Sequence, residues 1–127
     1  MLAWEFDDLD RFAAVHHLAV LCYHLQHPGL YSPEGLAGAK RLLVDFVEYK
    51  VTPQEARRRQ GAARASGRRT YKLKGTPEAP GVYACPVTWS MTAADVVAGG
   101  QAHYVANVTL WAHSVYNDLK ASHNLAA

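Results

Sequence analysis

Phe12-Ala13-Ala14-Val15-His16-His17-Leu18-Ala19-Val20-Leu21-Cys22-Tyr23-His24-Leu25-Gln26-His27-Pro28 holds four of the seven histidines in a stretch that otherwise has the composition of a buried helix. At about 100° per residue, His16, His17, His24 and His27 share one stripe with Ala13 and Val20. Val15, Leu18, Cys22 and Leu25 fall on the opposite side, where a core would lie. The spacing predicts a helix from near Asp8 to His27, stopped by Pro28-Gly29. A helix with one apolar face and one imidazole-rich face points to a site without naming a reaction.

The rest of the chain extends the helical pattern. Ser32-Pro33-Glu34 has the form of a helix start: a serine cap, proline at the first helical position and an acid in the first turn. Leu36, Ala39, Leu42, Leu43, Phe46, Val47 and Tyr49 continue it as an apolar stripe that suits packing on the first helix. A connection of about five residues implies an antiparallel pair. Thr52-Pro53-Gln54-Glu55 opens a weakly amphipathic third helix, since Glu55 stands three residues after the Thr52 cap. Thr92-Ala93-Ala94-Asp95 opens a brief one, interrupted at Gly99-Gly100. Tyr104, Val108, Trp111, Val115 and Leu119 fix the buried face of a last helix from about Ala102 to His123. The expected fold is therefore mainly all-α: one domain over residues 1–127, a small antiparallel bundle of about four helices. Residues 68–91 form a short hairpin or an irregular insertion within it.

Bulk properties narrow the function classes. At 127 residues and 50% hydrophobic composition, one modest core is within reach. No apolar run approaches the ~20 residues that cross a bilayer. The acidic opening Trp4-Glu5-Phe6-Asp7-Asp8 is unlike a signal peptide, so a cytoplasmic, bacterial-type protein with no membrane partner is the expectation. Two cysteines, Cys22 and Cys85, make neither a disulfide framework nor a four-thiolate zinc site. Eight of the 13 basic residues lie between Arg57 and Lys74 without one acid among them. The other five stand against all 11 acidic residues, which leaves the rest of the chain at about −6 beneath a net charge of +2. Arg57, Arg64 and Arg68 share a helix face there and are the candidate anion-binding residues, for nucleic acid or another anionic partner. A solvated charged segment is the competing reading. Trp111 belongs to the core stripe. Trp4 precedes the first helix and is either a core residue or the anchor of a homodimer contact.

Two blocks resemble DUF5946, an uncharacterised bacterial family. One is Val15-His16-His17-Leu18-Ala19-Val20 running into Tyr23-His24-Leu25-Gln26-His27-Pro28-Gly29 and Tyr31-Ser32-Pro33. The other is Trp89-Ser90-Met91-Thr92-Ala93-Ala94-Asp95-Val96 with Trp111-Ala112-His113-Ser114-Val115-Tyr116. The family implies a grouping and a fold more than a reaction. Its members often carry a Cys-x-x-Cys pair near the N-terminus; this chain has none, so a thiolate zinc site does not transfer.

Two readings of the histidines follow. As metal ligands they need neutral imidazoles converging within about 2.0–2.1 Å of one ion. His24 and His27, three apart, are the easiest pair. His113 on the last helix is the third candidate, His16 and His17 are alternatives, and Asn117 is a supporting group. A divalent transition metal, zinc first, is the cofactor expected on this reading. As structural groups, His16 and His27 cap carbonyls or bond to a neighbouring helix. No HExxH or CxxC signature decides between the two. A nucleophile elbow and a phosphate loop are both missing.

Overall fold

The computed structural model describes residues 2–7, 9–52, 55, 58 and 74–125. Its helices are α1 (Leu2–Asp7), α2 (Leu9–Leu25), α3 (Pro33–Glu48), α4 (Ala93–Ala98) and α5 (Tyr104–Ala121), with 3-10 turns at Pro28–Leu30 and Gln101–His103. The class is all-α. Among the described residues there is no strand, only an isolated bridge between Tyr31 and Lys74. Residues 75–92 of the insertion are irregular, without a strand. Arg68 to Leu73, where its first strand was expected, lie outside the described residues.

The helix faces follow the periodicity. Val15, Leu18, Cys22 and Leu25 of α2 are buried, joined by Phe12 and Ala19. All five residues of the α5 stripe, Tyr104, Val108, Trp111, Val115 and Leu119, are fully buried, and α2 and α5 form the main contact of the bundle. Leu36, Ala39 and Leu43 turn α3 against both. Tyr49 departs from its predicted stripe. It is 72% exposed because the helix has already ended, with Lys50 in the left-handed conformation (φ 55°). The Val51 N–H bonds the Asp45 carbonyl at 3.0 Å across that turn, closing the helix end in the way a glycine usually does.

The other boundaries have local causes. Ser32 Oγ accepts the Gly35 N–H at 3.0 Å, the cap expected before α3. Pro28 cannot continue α2, which ends at Leu25, two residues before the predicted limit. The Asp95 carboxylate accepts the Thr92 N–H at 2.8 Å in the expected capping box at α4. Gly100 turns the chain at φ 83° into the 3-10 turn ahead of α5, so that helix starts at Tyr104 rather than Ala102. Thr52 Oγ1 accepts the Glu55 N–H at 3.2 Å, but most of the third predicted helix lies outside the described residues. The N-terminal segment, read as an acidic lead-in, instead forms α1 and packs on α2. Trp4 turns inward, edge-on to Tyr104 at 5.7 Å, and packs partly buried against the core.

Candidate functional site

The histidine stripe divides into two neighbourhoods. At the N-terminal end of α2, His16 meets a residue the sequence reading passed over. Glu5 on α1 is only 7% exposed, and both of its carboxylate oxygens are engaged. Oε2 lies 2.6 Å from His16 Nδ1, and Oε1 accepts the Tyr104 hydroxyl. Three helices thus converge on one carboxylate. Tyr104 is fixed by edge-on contacts to Phe12 (5.2 Å) and Trp4 (5.7 Å). Burial first, and the Glu5 carboxylate second, push its phenol well above the ordinary range, so Tyr104 donates throughout the physiological pH range. A carboxylate can only accept, so His16 donates its Nδ1–H and keeps the Nε2 lone pair when the ring is neutral. Among the described residues nothing bonds to Nε2, and the side chain is 43% exposed. The His17 ring stands beside it, edge-on at 6.2 Å.

At the C-terminal end, His27 stacks on Tyr23 at 4.2 Å and donates Nδ1–H to the Tyr23 carbonyl at 2.8 Å. That carbonyl is among those left open where α2 stops, so the expected structural capping role is present. His24 lies edge-on to Tyr31 at 5.4 Å. Partial burial, then the charge of His27, hold its pKa below the ordinary value, which places the two imidazoles within electrostatic reach of each other. His113 is on the exposed side of α5, with its ring against Phe46 of α3 at 5.9 Å. Asn117, one turn on, is exposed. His24 and His27 thus both lie against Tyr23 at the end of α2, whereas the His113 ring lies against Phe46 of a different helix. Among the described residues no three of His, Cys, Asp and Glu converge on a point that could hold a metal ion.

The Gln26-His27-Pro28-Gly29 turn also anchors the irregular insertion. Gln26 Nε2 donates to the Met91 carbonyl at 2.6 Å, and the Tyr83 hydroxyl donates to the Leu25 carbonyl. Gly75 N–H and Gly81 N–H bond the Leu30 and Tyr31 carbonyls at 3.0 and 2.6 Å. A Cβ on Gly75 would stand 2.2 Å from the Gly29 oxygen, so only glycine permits this approach. Further along, Ser90 bonds Asp118 through N–H and hydroxyl, both at 2.8 Å. Asn124 clasps Cys85 through N–H (3.1 Å) and carbonyl (2.9 Å).

The cysteines offer no nucleophile at either end. Burial pushes the Cys22 thiol far above its usual range, and Cys85 is free but far along the insertion. Arg57, Arg64 and Arg68 lie outside the described residues. Arg58 is exposed and already paired with Glu55 at 2.6 and 2.9 Å.

Fold and site together describe a small all-α protein with histidine clusters at both ends of one helix. The chain belongs to DUF5946, a family of unknown function, whose sequence model matches residues 1–120. The resemblance read from the two sequence blocks holds. No curated protein and no solved structure matches the chain. No helix among the described residues is long and apolar enough to cross a membrane.

Glu5 is the residue that sequence reasoning missed. Acids are seldom buried, so an acidic N-terminus is read as surface by default. The apolar neighbours Trp4 and Phe6 were the available signal that Glu5 belonged to a packed turn of helix.

Proposed function

We propose that the C-terminal end of α2 binds a divalent transition metal, zinc first, through His24 and His27. The observation that carries this reading is the His27 hydrogen bond to the Tyr23 carbonyl. It fixes the ring as the Nδ1–H tautomer and leaves Nε2 as a ligand atom, the usual arrangement of a metal-bound histidine. His24, three residues earlier and against the same Tyr23 ring, supplies the second imidazole. Imidazole donors favour zinc, copper or nickel over magnesium or calcium. With two protein ligands, water or a bound substrate completes the coordination, so the ion is exchangeable and open to chemistry.

Calorimetric titration of the whole chain with zinc, after treatment with chelator, tests this. The expected result is one ion per chain, lost in His24→Asn and in His27→Asn with the thermal midpoint unchanged in the metal-free state. Loss in His113→Asn as well would add a third ligand from α5. Equal binding by wild type and both α2 variants, or no binding by wild type, overturns the reading.

A further inference from the structure

Building on the metal reading above, we infer that the end of α2 is a zinc-bridged contact between two copies of this chain. His24 and His27 of each copy together complete one tetrahedral ion. Zinc enclosed by protein takes four ligands, and one chain offers two here. His24 in the last turn of α2 and His27 just beyond it flank the same Tyr23 ring, at 6.0 and 4.2 Å between centroids. Among the described residues no third His, Cys, Asp or Glu joins them. The two remaining donors come from outside the chain: water, or the same two imidazoles of a second copy. A two-fold axis through the ion makes the second arrangement self-complementary.

The surface around the pair favours the second copy. Tyr23 is 44% exposed and Leu30 51%, and the Leu30 N–H bonds the His27 carbonyl at 3.0 Å, so apolar side chains border the ligands. Residues 20–31 contain no Asp, Glu, Lys or Arg, so no like charges within this stretch meet when two such ends approach. Two apolar side chains per copy cover on the order of a few hundred Å², well below the roughly 1,200 Å² of a stable interface. The contact therefore forms with the ion and not without it.

Sedimentation of the untagged whole chain titrated with zinc chloride tests this. The expected mass is that of one chain in chelator and twice that at one ion per two chains. It should return to one chain at large zinc excess, where each copy fills its own pair and water supplies the other ligands. The calorimetric endpoint thus stays at one ion per chain. X-ray absorption at the zinc edge should show four imidazole nitrogens at half loading, at about 2.0–2.1 Å, and fewer at excess. His24→Asn and His27→Asn should each abolish the doubling. Leu30→Lys keeps both ligands but sets like charges face to face; it should weaken the dimer about tenfold or more while calorimetry still finds one ion per chain. Zinc bound at every ratio by a chain that stays single overturns the inference and leaves the metal reading standing. No zinc bound overturns both. Doubling that persists in chelator, or in both histidine variants, overturns the bridge.

Discussion

The two ends of α2 use the same residue type in opposite ways. At the N-terminal end a half-exposed histidine is tied to a buried carboxylate where three helices meet, with aromatic rings packed around that carboxylate's other partner. At the C-terminal end the histidines sit over a proline turn, and what they and their neighbours bind is mostly backbone carbonyl. The first end is part of the core; the second is a landing place for a long irregular segment. A histidine stripe on a helical wheel therefore marks no single site, because each imidazole takes its role from the partner that another element brings.

The sharpest way to break the contrast is to remove packing beneath the N-terminal end. Phe12→Ala deletes the ring that holds Tyr104 edge-on, and it should cost about 3–5 kcal/mol of global stability, read by urea denaturation. A loss below about 1 kcal/mol would show that this end is not core. At the other end, Gly75→Ala forces a methyl group against the Gly29 and Tyr31 oxygens and should cost about 1–3 kcal/mol. Hydrogen exchange should place the loosening in residues 74–92 and leave α2 and α5 protected. Uniform loss of protection would merge the two ends into one cooperative unit.

Alkaline pH tests both ends together. Burial holds the Tyr31 phenol up to about 12, against an ordinary 10.0, and pushes Tyr83 and Tyr104 further up. Below pH 10 the folded and unfolded chains keep these protons equally. Above it the unfolded chain releases them first, so stability falls as pH rises from about 10 toward 12. Tyr31→Phe should flatten that decline, visible as a smaller shift in thermal midpoint between pH 9 and 11. The smallest effect belongs to His24. Its folded pKa is lowered from 6.5, so the unfolded chain binds the proton more readily, and stability present above pH 6.5 is lost as pH falls below it. His24→Asn should reduce the acid-side drop in thermal midpoint by a degree or so; an identical acid limb would remove His24 from the account.

The helix faces were legible because burial repeats along a helix. Val15, Leu18, Cys22 and Leu25, like Tyr104 to Leu119, report their orientation through spacing alone. The helix starts at Ser32 and Thr92 were legible for a related reason, since a cap bonds only three residues ahead. The path of residues 74–92 was not. It is set by bonds such as Tyr83 to Leu25 and Cys85 to Asn124, between positions that carry no mark of each other in sequence. The candidate site was half legible for the same reason. His24, His27 and His16 announced themselves by clustering, whereas Glu5 becomes informative only when α1 has folded over His16 and Tyr104.

That carboxylate also sets an order of events. Glu5 belongs to α1 and its partner Tyr104 to α5, 99 positions later in the chain. Until the final helix docks, no tyrosine hydroxyl is present to meet Glu5, and the acid stays hydrated. A nascent chain can form α2 and α3 early from local contacts, but it closes the cluster only after Tyr104 has been made. The acquisition of the His16 environment is thus a clock for complete folding, and its NMR signal would time the last step rather than the first.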